Sequence, residues 1–217
     1  VPCFNLLSNA PASDPRRAAY LLAALAAELP AGSVVVGVVD PGVGSERLPI
    51  VVEAGGRRFV GPDNGLFSRA AARDRNARAW RIDWRPGRLS ASFHGRDLFA
   101  PVAARLAAGV DVPMTEFSAA QLVGSGWPDE LGEVVYGDVY GNLLTGLRGD
   151  GLSDSAVLEA GGRLLRYART FSAVPAGEAF WYRNSCGLVE IAVNGGSARE
   201  RLGLGVGAIV RVVGSSA

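Results

Sequence analysis

The sequence predicts an α/β N-terminal domain with a mainly parallel sheet over residues 1–120 and a smaller all-β, barrel-like C-terminal domain over residues 131–217, joined by a linker at 121–130. Three observations carry this. The stretch VVVGVVD, residues 34–40, is a nearly unbroken β-branched run, the pattern of a strand covered on both faces and typical of parallel sheets. Up to about residue 115 such runs alternate with segments of helical period. Beyond Gly124-Ser125-Gly126-Trp127-Pro128 the chain breaks into short strand-like stretches separated by turn residues, the rhythm of a compact antiparallel sheet or small barrel.

Each element follows from its residues. Ser13 or Asp14 caps a helix with Pro15 in its first turn, and Ala18, Leu21, Leu22, Leu25 and Leu29 recur at helical spacing as far as Pro30. SVVVGVVD is the next strand. LPIVVEA and RRFVG read as a hairpin through Gly55-Gly56. A short helix from Asn64 to Arg75, a strand in ARAWRIDW and a helix from Arg96 to Ala108 with an early Pro101 complete the first half. In the second half GEVVYGDV, NLLTGL, SAVLEA, RLLRYAR, AFWYRN, GLVEIAV and GAIVRVV are strands, and only Ser197 to Leu202 is helical.

Composition narrows the function classes. With 48% hydrophobic residues the 217-residue chain can fill a core. Its 22 Lys+Arg against 21 Asp+Glu offer no basic surface for nucleic acid. No apolar run approaches the roughly 20 residues of a membrane helix, and the first residues given show no charged n-region ahead of an apolar h-region. Cys3 and Cys186 are far apart and fit no metal-ligand spacing, so reduced thiols, no metal site and a cytoplasmic location are expected.

Three sets of polar residues stand out. Asp40 ends the apolar run at a Pro-Gly turn, where ligands of open α/β sheets sit, although a plain turn cap accounts for it equally. Neither a Walker loop nor GxGxxG is present, so nucleotide phosphates are not indicated. His94, the only histidine, lies in SFHGRDLFAP just before a helix, a position that disfavours imidazolium and leaves the ring able to accept a proton or a hydrogen bond. Taken alone it also reads as a structural hydrogen-bonding residue, and Arg96 and Asp97 as a local ion pair. The third set, Asp138, Tyr140 and Asn142 in GDVYGNLLTG with Asn184, Ser185, Glu190 and Asn194 in RNSCGLVEIAVNGGSA, reads by itself as turn formers and core.

Together, VVDPGVGSER, FVGPDNGLFS, FHGRDLFAPVAARLA, GDVYGNLLTG and NSCGLVEIAVNGGSARERLG resemble, in that order, the S-adenosylmethionine hydroxide adenosyltransferases, relatives of the fluorinase and chlorinase enzymes. The resemblance implies the two-domain fold, a homotrimer with active sites between subunits, and cleavage of S-adenosylmethionine by water at the ribose 5′ carbon to adenosine and methionine, with no further cofactor. It puts the water-activating triad on Asp40, Arg47 and His94. Phe93 and Gly95 would border the nucleophile; Asp138 and Ser185 would hold the methionine part; Tyr140, Asn142 and the backbone at Gly195 complete the substrate contacts. On this reading Asp40 orients Arg47 or the water, Arg47 stabilises hydroxide character, and His94 takes the proton directly or by relay. Halogenating relatives carry Tyr in place of Asp40 and lack the histidine.

The resemblance also implies a preceding Thr-Asp-Phe-Gly type loop that grips the ribose and an Asp-x-x-His-Asp pattern, where this chain has Asn5-Leu6-Leu7-Ser8-Asn9. The expectation is therefore a chain that begins inside a longer natural protein, or a divergent member with weakened ribose recognition. A noncatalytic S-adenosylmethionine- or adenosine-binding homologue is the alternative, and a halogenating transferase is disfavoured by Asp40 and His94.

Overall fold

A computed structural model describes residues 2–214. The chain forms two compact units that divide between Asp129 and Glu130.

In the first unit, α1 (Pro15–Ala27) begins where expected: Asp14 accepts the Arg17 amide at 3.0 Å and Pro15 occupies the first turn. Its buried face is built mainly from alanines, with Tyr20 and Leu21, while Leu22 and Leu25 are half-buried. The strands are β1 (Val34–Val36), β2 (Pro49–Ala54), β3 (Arg57–Pro62), β4 (Arg78–Ile82) and β5 (Met114–Phe117), in the order β1-β3-β2-β4-β5. Residues alternate between two cores. Val52 and Phe59 pack with α1 and with α2 (Ser68–Ala72), whereas Val51, Val60 and Ile82 pack with Phe99 and Val102 on the other face.

The sheet is not mainly parallel. Only β1 with β3 is parallel; β2–β3, β2–β4 and β4–β5 are antiparallel. An apolar run reports cover on both faces, here supplied by helices above and below, and says nothing of direction. Direction follows from the connection: Gly55 and Gly56, at φ +57° and +72°, make the two-residue turn that forces β2 and β3 into a hairpin. β1 is also shorter than its apolar run, and Val36 and Val38 are exposed. The Gly37 amide still reaches the Val60 carbonyl, but the Val39 carbonyl is taken by the Asn64 side chain, so the ladder stops and the chain leaves toward Asp40.

The segment predicted as one helix over 96–108 is a π turn (Gly95–Phe99) running into α3 (Ala100–Ala107). Pro101 has no N–H for the carbonyl of residue 97 and its ring crowds that oxygen; the turn before it widens, and the Ala100 amide bonds to the Gly95 carbonyl. β5, an edge strand, was not legible in the sequence. Residues 124–128 are bound to the same unit by Arg69, a buried side chain that donates to the carbonyls of Gly124, Ser125, Trp127 and Pro128 at 2.7–3.1 Å.

The second unit contains β6 (Leu131–Gly137), β7 (Leu143–Arg148), β8 (Val157–Ala160), β9 (Arg163–Arg166), β10 (Ala179–Arg183), β11 (Leu188–Val193), α4 (Ala198–Leu202) and β12 (Val210–Gly214). They make two antiparallel sheets, β10-β11-β7-β6 and β12-β8-β9, around Val134, Leu158, Trp181, Ile191 and their neighbours. Isolated bridges, Glu133 with Ile209 and Tyr167 with Trp181, link the sheets. Among the described residues no continuous ladder joins them into a closed barrel. Nor is any described helix long and apolar enough to cross a membrane.

Candidate active site

The loop after β1 is folded back on itself by local hydrogen bonds. The Val43 amide reaches the Asp40 carbonyl at 3.4 Å, the Ser45 hydroxyl donates to the Gly42 carbonyl at 2.7 Å, and the Arg47 amide meets the Ser45 oxygen at 3.3 Å. Gly44, at φ +81°, lies where a side chain would stand 2.9 Å from the Ala91 carbonyl, so only glycine lets this loop approach the turn leading to His94. The fold-back returns the Arg47 side chain to Asp40. Its Nε lies 3.0 and 3.1 Å from the two carboxylate oxygens and its Nη2 lies 2.5 Å from Oδ2. The side chains of Asp40 and Arg47 are only 4% and 9% exposed, which makes this a buried, bidentate pair.

The same Nη2 stands 2.9 Å from Nδ1 of His94, 47 residues away in the chain. Guanidinium has no acceptor, so Nδ1 must be the accepting nitrogen and the ring is neutral with its proton on Nε2. Burial is the main cause that lowers the His94 pKa, and the Arg47 charge adds to it; Asp40 and Asp97 act in the opposite sense. Phe99 supports both groups, its ring 5.2 Å from the Arg47 guanidinium carbon and edge-on to His94 at 6.5 Å. Asp40, Arg47 and His94 therefore form one chain of hydrogen bonds with a cation at its centre.

Phe93 and Gly95 flank the imidazole. Phe93 is 57% exposed and carries the Arg96 guanidinium over its ring at 4.9 Å, while Gly95 opens the π turn against Val38. Arg96 and Asp97 form the local ion pair. The Arg96 hydrogen bond, helped by the Ser90 amide, pulls the Asp97 carboxyl down to about 2.

In the second unit, Asp138, Tyr140 and Asn142 lie in the turn from β6 to β7. The Asp138 carboxylate accepts the amides of Tyr140 at 2.9 Å and Asn142 at 2.8 Å and the Asn142 side-chain amide at 2.9 Å, and so shapes the turn that it occupies. Tyr140 is not core: its ring is 78% exposed, whereas Asn142 is buried. Ser185 is exposed in the turn between β10 and β11, and Gly195 lies in the turn after β11, beside Asn194, whose amide donates to the Val174 carbonyl.

Sequence reasoning missed two supports and left a third without a role. Asn64, read as the start of a short helix, holds the strand exit before Asp40. Phe99 looks like ordinary core. Glu190, which the sequence singles out only as one of a set of turn formers and core residues, is buried in β11 and accepts from Tyr182 at 2.5 Å and from Asn184 at 2.9 Å. Among the described residues no group of three or more His, Cys, Asp or Glu side chains is placed to hold a metal ion.

With the geometry in place, comparison with known proteins adds the lineage. Residues 1–116 match the SAM hydroxide adenosyltransferase N-terminal domain and residues 132–211 match the C-terminal domain of the same family. A Thermus thermophilus protein named (R)-S-adenosyl-L-methionine hydrolase is 41% identical, over 96% of this chain and 87% of that one. A Salinispora arenicola protein of the same name is 40% identical, over 93% of this chain and 82% of its own length. The crystal structure of an uncharacterized conserved protein from Thermotoga maritima superposes with a TM-score of 0.76 at 29% identity, over 91% of this chain and 83% of that one. Both halves of the sequence thus match one lineage in order, and the chain belongs to the SAM hydroxide adenosyltransferase family.

Proposed function

We propose that this chain hydrolyses S-adenosyl-L-methionine to adenosine and L-methionine, by attack of a water or hydroxide on the ribose 5′ carbon. Relatives about 40% identical over most of the chain are named (R)-S-adenosyl-L-methionine hydrolase. The observation that carries the reading is the Asp40–Arg47–His94 chain, a buried ion pair joined to a half-buried imidazole. A sulfonium is already a good leaving group, so the reaction requires no general acid and no resident cofactor. The O–C5′ bond forms as the C5′–S bond breaks, the electron pair leaves on methionine sulfur, and the surplus water proton passes to solvent.

In this scheme Asp40 holds Arg47 in one orientation, and the guanidinium charge favours hydroxide character in the nucleophile. His94 takes a role different from the base expected from sequence. Its Nδ1 is occupied by Arg47, so the ring edge left open is Nε2–H, a donor that engages one lone pair of the nucleophile oxygen and so leaves another to face C5′. Phe93 and Gly95 border the nucleophile. Asp138 and Ser185 hold the methionine moiety, and Tyr140, Asn142 and the Gly195 backbone the nucleoside. The proposal extends to a homotrimer with sites at subunit interfaces, for which the exposed Val139 and Tyr140 beside Asp138 are suited, and to a cytoplasmic location, which the dispersed thiols favour.

The test is adenosine release from S-adenosylmethionine by the parent and by Asp40→Ala, Arg47→Ala and His94→Ala. Each variant should lose about 100-fold or more in kcat. Rates equal to the parent's would remove the triad from the reaction. A calorimetric binding signal from the parent without turnover would instead support a noncatalytic binder, and halide-dependent formation of a 5′-halogenated nucleoside the transferase.

A further inference from the structure

All six residues of β11, Leu188–Val193, are buried, and one of them is a glutamate. A carboxylate there must be matched by donors. Glu190 has two. Tyr182, directly opposite on β10, donates its hydroxyl to Oε1 at 2.5 Å, and Asn184 donates its side-chain amide to Oε2 at 2.9 Å.

The other end of Asn184 carries the consequence. Its Oδ1 accepts the amides of Cys186 at 3.1 Å and Leu188 at 2.9 Å. Those two N–H groups hold the oxygen end of the amide, so its nitrogen end needs an acceptor on the far side, and Glu190 is that acceptor. The turn itself closes without Glu190, through the Asn184 amide to the Leu188 carbonyl at 2.9 Å and the Gly187 amide to the Asn184 carbonyl at 3.1 Å. What Glu190 adds is the direction of the Asn184 side chain, and with it the path of residues 184–188, where Ser185 is exposed. Burial raises the Glu190 carboxyl above its ordinary value and the Asp138 charge acts in the same sense, which puts Glu190 within electrostatic reach of the other turn assigned to the methionine moiety.

We propose that Glu190 is a positioning residue for substrate binding, acting through Asn184 on the Ser185 turn. This rests on the reading above that Ser185 contacts S-adenosylmethionine. Hydrogen bonds, not charge, do the positioning. Glu190→Gln keeps an oxygen for Asn184 and offers an N–H that the Tyr182 hydroxyl can accept, whereas Glu190→Ala removes both partners.

Two readouts test it in the full chain: KM and kcat for S-adenosylmethionine, and hydrogen-exchange protection of the Cys186 and Leu188 amides without substrate. Glu190→Ala and Asn184→Ala should raise KM about tenfold with a much smaller change in kcat, and should reduce that protection, while Glu190→Gln restores both. Unchanged KM and protection in folded Glu190→Ala, or a Glu190→Gln as impaired as Glu190→Ala, would overturn the proposal. If Glu190→Ala does not fold, Glu190→Met, which keeps the side-chain bulk but offers Asn184 no oxygen, makes the same comparison against Glu190→Gln. An inactive parent would count against hydrolysis alone, and amide protection would still decide for or against Glu190.

Discussion

Arg47 has five donors and no acceptor, and that fact orders everything around it. Asp40 must take the Nε edge as a carboxylate, and His94 must meet Nη2 through an unprotonated nitrogen. The charges near the imidazole are Arg47, which opposes its protonation, and Asp40 and Asp97, which favour it; burial and Arg47 prevail, so the His94 pKa lies below its ordinary value of 6.5. The sign follows. Above the depressed pKa the ring is neutral and accepts from Arg47; as pH falls through it, imidazolium forms, that hydrogen bond is lost and two cations face each other. The acid limb of kcat/KM should therefore lie below pH 6.5 and should vanish in His94→Ala, as read from adenosine release across pH. A limb at or above 6.5 that persists in the variant would assign the titration elsewhere. From sequence, Asp40 at a strand mouth and a lone histidine before a helix were each visible. Their convergence came only through the family resemblance, because 47 residues separate Arg47 from His94 and local patterns carry no information about contacts at that range.

Elements were legible where local chemistry decides them. The Asp14–Pro15 start of α1, the Gly55-Gly56 hairpin and all seven strands of the second unit follow from caps, turns and alternation. The miss at β1 has a tertiary cause, since Asn64 diverts the carbonyl that would have continued the ladder. The π turn at 95–99 is a steric response to Pro101, and it sets where His94 stands. Arg69 shows the same limit: in sequence it is one of many arginines, yet it is buried and binds four carbonyls of residues 124–128. Arg69→Ala would leave those acceptors unsatisfied, and we expect about 3 kcal/mol of destabilisation, measured by urea unfolding. A change under about 0.5 kcal/mol, the range of ordinary surface substitutions, would mean that water replaces the guanidinium without loss.

At the scale of the molecule, large apolar side chains remain uncovered near the proposed substrate residues: Val139 at 85%, Tyr140 at 78% and Phe93 at 57% exposure. A homotrimer is the assembly proposed for them. Light scattering in solution should then give three times the 22.5 kDa of one chain, and a monomer active in the adenosine assay would sink the interface sites. The amino-acid sequence by itself determined the class of each half and most element positions, because propensity, turn geometry and periodicity are local, and its five family-like motifs supplied the candidate site residues. Only the tertiary structure decided the mixed direction of the first sheet, the open edges of the second unit, the tautomer of His94 and the tie from Glu190 to the Ser185 turn. Each of these depends on which distant groups compete for the same hydrogen bond, and a one-dimensional pattern does not encode that competition.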